Sequence, residues 1–187
     1  MPFPYRFGST AMSDTASAPP QSPQRIAELA LDERTVIRRN PEIERERAAA
    51  IADLLHANHF APASGLAGPF RVHLASAEGR LTMDVTALPD GPDESIMLPL
   101  RQFARIIKDY FLICDSYLKA LRSANLSHVE AIDMGRRGLH DEGAALLIDS
   151  LAGKVDIDRD TARRLFTLIC VLHLKPTSQG LGAHPRA

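Results

Sequence analysis

The ten residues Leu165 to Leu174 carry only two polar side chains, Thr167 and His173. Read as a helix starting at Ala162, this run spreads Leu165, Phe166, Leu168, Ile169, Val171, Leu172 and Leu174 over nearly the whole circumference. A helix without a wet face has to be enclosed by other elements. The run is far too short to cross a bilayer, which takes about 20 apolar residues. The rest of the chain must therefore build a shell around Ala162–Leu174.

Part of that shell is a sheet. Phe70, Val72 and Leu74 alternate with Arg71 and His73, and Leu81, Met83 and Val85 alternate with Thr82 and Asp84. Strict alternation predicts strands with one buried and one wet face, the pattern of an antiparallel sheet. Ser76-Ala77-Glu78-Gly79 supplies a short glycine-containing hairpin link. A second turn, Pro89-Asp90-Gly91-Pro92-Asp93, leads to Ile96, Leu98 and Leu100, which again face one way. Pro99 cannot donate to a ladder, so this strand lies at an edge or ends there. Upstream, Ala27, Leu29 and Leu31 fall on one face at period two and predict a further strand.

Helices supply the remainder. Asn40-Pro41 reads as an N-cap followed by proline in the first turn, with Glu42, Glu44 and Glu46 at the positive end of the dipole. Ile43, Ala50, Ile51, Leu54 and Leu55 form its buried stripe, and it should end near Asn58. From Arg101, a stripe of Phe103, Ile106, Ile107, Tyr110, Cys114, Tyr117, Leu118 and Leu121 continues for about six turns. Ser127-His128-Val129-Glu130 has the spacing of a capping box that starts the next helix. Lys154 to Ile157 reads as a short extended connector, after which Asp158 or Asp160 caps the last helix. The expected fold is α+β: an antiparallel sheet of about four strands packed on a bundle of about four helices. It occupies residues 25–175, between disordered tails at 1–24 and 176–187. Pro19, Pro20 and Pro23 within a Ser/Ala-rich run block regular structure in the first tail. Met12 is a second candidate for the start of translation beside Met1.

Composition narrows the partners. The chain has 187 residues, 24% of them charged, yet a formal net charge of −1. That balance gives no field to steer the protein to nucleic acid or an acidic membrane. With aromatic residues at 5%, few stacking platforms exist for RNA. Cys114 and Cys170 each lie in an apolar run and read as small buried hydrophobes in a reducing cytoplasm, neither a disulfide nor a metal pair. The N-terminus carries no secretory signal pattern.

One segment defies local helix preference. Asp133-Met134-Gly135-Arg136-Arg137-Gly138-Leu139-His140-Asp141-Glu142-Gly143 puts three glycines into a helical pattern, each costing about 1 kcal/mol relative to alanine. Such glycines point to a break, a close backbone approach or a positive φ. Arginine suits bidentate capture of carboxylate or phosphate, and histidine titrates near neutrality. The candidate ligand-binding set is therefore Asp133, Arg136, Arg137, His140 and Glu142, with His140 as acid or base. The competing reading is a corner in which Gly138 permits a turn and the charges pair, Asp133 with Arg137 and Arg137 with Asp141. Adjacent His140, Asp141 and Glu142 point in different directions on a helix, so no metal is expected. No glycine-rich phosphate loop or nucleophile elbow is present, and no cofactor is expected.

The strings Arg105 to Tyr117, Glu130 to Gly143 and Asp160 to Leu168, with Pro41 to Arg47 and Phe60-Ala61-Pro62, resemble an uncharacterised alphaproteobacterial family, number two-six-two in the UPF series. The resemblance runs from about Arg25 to Leu174. That family has no established activity, so it implies a small bacterial cytosolic protein and no catalytic residues. The function expected is a non-enzymatic interaction or regulatory module, with a homodimer or an unknown protein as partner. The alternative is a small-molecule enzyme or phosphate/anion binder using Arg136, Arg137 and His140.

Overall fold

The computed structural model describes residues 22–32, 41–122 and 126–173. The expected tails lie outside these residues except for 22–24, as do the choice between Met1 and Met12, the Asn40 cap and the Leu174 end of the last helix. The chain runs β1 (Ile26–Leu31), α1 (Pro41–His56), β2 (Phe60–Pro62), β3 (Phe70–Ala77), β4 (Arg80–Ala87) and β5 (Asp93–Pro99). A 3₁₀ turn at Leu100–Phe103 leads into α2 (Ala104–Arg122), α3 (Leu126–Leu151), β6 (Val155–Ile157) and α4 (Arg159–His173). The fold is α+β.

The four-stranded sheet has the order β1-β3-β4-β5. Strands β3, β4 and β5 form the antiparallel meander that the alternation predicts, with Phe70, Val72, Leu74, Leu81, Met83, Val85, Ile96 and Leu98 on the buried face. Glu78 and Gly79 close the first hairpin with positive φ at both positions (51° and 73°), the geometry of a type I′ turn. Strand β1 joins in parallel, so the sheet is mixed. The reason is connectivity: α1 intervenes before β3, and a helical crossover returns the chain in the same direction. A register shift between Ile26 and Glu28 changes the phase of β1, so Ile26 and Leu31 are both buried while Leu29 is half-buried. Plain period-two reading of Ala27, Leu29 and Leu31 misses that bulge. Phe60–Pro62 pairs with Val155–Ile157 in a small second sheet.

Helix α4 is the centre. Thr161, Ala162 and every residue from Leu165 to Leu172 are buried, enclosed by α1, α3 and β3. Asp158 provides the cap, accepting from the Thr161 amide at 2.7 Å. Buried Thr161 in turn accepts from the His59 amide at 3.0 Å, so its hydroxyl is satisfied.

Helix α3 corrects two expectations. It is already helical at Leu126, so Ser127 lies inside it rather than capping it. It also runs unbroken through Gly135, Gly138 and Gly143, without a corner at Gly138. Two of these glycines exist for close approach. A Cβ at Gly143 would sit 2.5 Å from the Phe166 ring, and one at Gly135 would sit 2.7 Å from Ile113 Cδ1. At Gly138 the space is open. From the 3₁₀ turn into α2 the stripe holds at Phe103, Ile106, Ile107 and Tyr110, whereas Leu121 is half-exposed.

Candidate functional site

The charged stretch of α3 divides into an inner and an outer face. On the inner face Arg136 meets α1: its Nη1 donates to Glu46 Oε1 at 2.6 Å and its Nη2 to Asp133 Oδ1 at 3.0 Å. The guanidinium also lies 5.4 Å from the Tyr117 ring centroid, a cation–π distance. Glu46 is shared, because Tyr110 of α2 donates its hydroxyl to Glu46 Oε2 at 2.8 Å. One carboxylate thus ties α1 to α2 and α3. All three charged members are about three-quarters buried (exposures 25%, 24% and 21% for Arg136, Glu46 and Asp133).

Electrostatics follow from this packing. Burial works against the Arg136 charge, but Glu46 and Asp133 outweigh it and hold the guanidinium above its ordinary value. The hydrogen bond from Arg136, with help from Arg137, lowers the Asp133 carboxyl despite some desolvation. Burial, then neighbouring Cys114 and Glu46, raises the Tyr110 phenol so that it remains a hydroxyl.

The outer face differs. Arg137 is 71% exposed and reaches Asp133 Oδ2 at 2.7 Å, an i,i+4 surface pair. Glu142 is bound by Arg105 of α2. Asp133 therefore holds both arginines, one with each oxygen, and of the five candidate residues only Asp133, Arg136 and His140 sit in partial burial.

His140 lies beyond Arg136 on the side of α4. Its ring meets Tyr110 edge-on at 5.1 Å and Phe166 at 6.3 Å. Burial lowers its pKa; Arg136 and Arg163 act in the same direction, Glu46 and Asp141 against it. The imidazole is therefore neutral at pH 7. Thr167 Oγ1 donates to the Arg163 carbonyl at 3.2 Å, which leaves that oxygen to accept from His140 Nδ1–H at 3.4 Å. This arrangement makes Nε2 a bare acceptor, and it is buried without a hydrogen-bond partner. Beside His140 a cleft of about 330 Å³ opens between α1, α3 and α4, lined by Asp53, His140, Asp160, Arg163, Arg164 and Thr167. Arg163 is held by Asp141 at 2.6 Å. Among the described residues no group of metal-ligating side chains gathers.

A second concave surface borders the outer edge of β5. It measures about 550 Å³ and is lined by Glu94, Ser95, Ile96 and Met97 on one side and by Ala63, Ser64, Gly153 and Lys154 on the other. Lys154 Nζ donates to the Met97 carbonyl across it at 3.0 Å.

The sequence profile of the Uncharacterised protein family (UPF0262) matches residues 23–175. The chain belongs to that family. Alphaproteobacterial UPF0262 proteins resemble it closely: one from Rhodospirillum rubrum is 56% identical over 150 residues, covering 80% of this chain and 92% of the relative. Those of Paramagnetospirillum magneticum and Erythrobacter litoralis are 49% and 52% identical, each covering 81% of this chain and 97% of their own length. No solved structure matches. No helix among the described residues is long and apolar enough to cross a membrane.

The UPF0262 span contains both concave surfaces, and sequence reasoning named only part of each. Glu46 sits in an acidic run that reads as a solvated first turn, and nothing in its spacing marks the one glutamate that turns inward. Arg163 and Arg164 were missed, although two adjacent charges at the head of an otherwise apolar helix are a signal that could have found them. Asp53 carried no signal at all.

Proposed function

We propose that this UPF0262 chain is a non-enzymatic interaction module that pairs with a second copy of itself along the outer edge of β5. The observation that carries the reading is the edge. Among the described residues strand β5 pairs with β4 alone, and the Leu100 amide donates inward to Gly79 while the Met97 carbonyl faces outward to Lys154. Backbone groups alternate sides along a strand, so Asp93, Ser95 and Met97 all present theirs outward. The Met97 carbonyl is held by Lys154, and the rest of this open edge is a template for strand addition.

A two-fold axis through Ser95 gives the register that pairs all three once Lys154 moves off the Met97 carbonyl. It sets Asp93 of each copy opposite Met97 of the other, and Met97 is where Lys154 stands. Acidic Asp93 and Glu94 at one end thus meet a cation at the other, and the arrangement is self-complementary as a two-fold contact requires. So short a strand pair buries far less than a stable interface of about 1,600 Å², so the association is weak, with a dissociation constant on the order of micromolar or above. Cys114 and Cys170 are not joined in a disulfide, which supports a reducing, cytoplasmic setting.

Sedimentation over a concentration series tests this. The expected result is a mass rising from monomer to dimer for the wild type and a constant monomer for Ser95→Pro, whose lost amide points away from β4. Lys154→Glu should weaken pairing and Asp93→Lys in the same chain should restore it. A wild type that stays monomeric to several hundred micromolar, or a Ser95→Pro variant that still dimerises, overturns the reading.

A further inference from the structure

The cleft beside His140 has an unusual charge inventory. Arg163 is tied to Asp141 at 2.6 Å, a carboxylate that Arg159 also approaches at 3.4 Å, and Arg164 takes no ion pair among the described residues. Its recorded contact is a 3.5 Å approach to the Ala57 carbonyl, at the limit of a hydrogen bond. Asp53 from α1 and Asp160 from α4 line the same cleft, and neither takes an ion pair among the described residues. Asp53 and Arg164 sit on different helices, α1 and α4, while Asp160 stands one turn before Arg164 on α4 without joining it. Each is left able to receive a ligand group of its own. The more buried side of the cleft is His140 with Thr167, whose Oγ1 meets the imidazole at Nδ1.

We propose that this cleft binds a small amphoteric molecule of the free amino-acid class, its carboxylate on Arg164 and its ammonium between Asp53 and Asp160. Three features select that class. The guanidinium fork matches a carboxylate bidentately. The lining balances two carboxylates, Asp53 and Asp160, against two guanidiniums, so it matches a ligand that carries both charges, whereas phosphate or a dicarboxylate brings no cation for the two aspartates. The volume of about 330 Å³ lies at the small end of ligand sites, which run from about 300 to 1,000 Å³. The five residues expected from the sequence contribute only His140. Arg136 and Arg137 are held elsewhere by Glu46 and Asp133.

The test is a solution titration of the full chain with each free amino acid, followed by amide and imidazole NMR shifts and by calorimetry. Putrescine serves as the cation-only probe, and acetate and inorganic phosphate as the anion-only probes. The expected result is saturable binding of at least one amino acid in the micromolar to low-millimolar range, with shifts centred on Thr167 and His140. Arg164→Gln and the Asp53→Asn/Asp160→Asn double variant should each weaken it by roughly tenfold or more. These residues are peripheral to the core, so thermal unfolding of both variants should stay near wild type and separate lost binding from lost folding. No saturable shift with any amino acid to about 10 mM overturns the proposal. Equal binding of putrescine or of phosphate overturns it too, as does undiminished binding by Arg164→Gln. None of these outcomes bears on pairing through β5, which lies on a different surface.

Discussion

Gly143 of α3 and Phe166 of α4 touch with no side chain between them: a Cβ on the glycine would stand 2.5 Å from the ring. That contact lets the two helices approach at the middle of the core, where Ala144 and Leu147 are also fully buried. It explains why α3 tolerates a poor helix former there. Its three glycines are not equivalent, and they give a prediction of opposite signs on one helix. Gly143→Ala should destabilise by about 1–3 kcal/mol, because the ring is itself buried and has nowhere to move. Gly138→Ala should stabilise by up to about 1 kcal/mol, since nothing lies within 4 Å and the helix loses a flexible position. Gly135→Ala should fall between them, because the obstructing atom is the far end of the Ile113 side chain. Urea unfolding of the three variants checks the order.

Glu46 and Arg136 should couple energetically. The pair is too buried to behave like a surface ion pair and too exposed to cost a full desolvation. A double-mutant cycle with Glu46→Gln and Arg136→Met should give a coupling of about 1–2 kcal/mol. Tyr110→Phe should cost about 1 kcal/mol through the lost hydroxyl bond to Glu46. A coupling indistinguishable from zero refutes the view that this carboxylate fastens three helices together.

Asn58 closes the free side of β1. Its Oδ1 accepts from the Ile26 amide at 2.7 Å, while Nδ2 donates to the Ile26 carbonyl at 2.9 Å and the Leu54 carbonyl at 2.7 Å. One amide thus finishes α1 and substitutes for a neighbouring strand. Asn58→Ala should cost about 2–3 kcal/mol. Asn58→Asp should be no milder, because a carboxylate cannot donate to two carbonyls. Hydrogen exchange at the Ile26 amide gives the site-specific readout and should accelerate in both variants.

His140 predicts an acid-side loss of stability. Burial favours its neutral form, so the folded pKa lies below that of the unfolded chain. As pH falls below about 6.5, the unfolded state takes up a proton that the folded state resists. Stability conferred above that value is lost down to the folded pKa. Chemical denaturation at about pH 7.5 and about pH 5.5 should show a smaller difference for His140→Gln than for wild type. Equal differences would mean that the imidazole is not held neutral by the fold.

Much of the architecture was legible because it rests on local periodicity. The circumferential apolar run of Leu165–Leu172 located the central helix, and the alternation from Phe70 to Leu98 located a one-sided sheet. Pro99 marked both an edge and a strand end. Glycine clusters were legible as exceptions but not as causes. Only the position of Phe166 against Gly143 distinguishes close approach from a turn, and that partner lies on a different helix.

The amino-acid order alone therefore located most of the helices and strands and the buried faces of β3, β4, β5 and α4, since side-chain period and backbone geometry are properties of neighbours in sequence; β2, the bulge in β1 and the unbroken run of α3 were not legible in it. It also carried the UPF0262 resemblance. Tertiary packing decided the rest. The parallel seating of β1 came from its helical crossover, and the outward edge of β5 from the absence of a further strand beside it among the described residues. Packing chose Glu46, from a row of similar glutamates, to hold Arg136. It drew Asp53, Arg164 and His140 from three helices into one cleft. Contacts between residues 64, 90 or 107 positions apart leave no periodic trace, because their energy depends on where the helices cross and not on spacing along the chain.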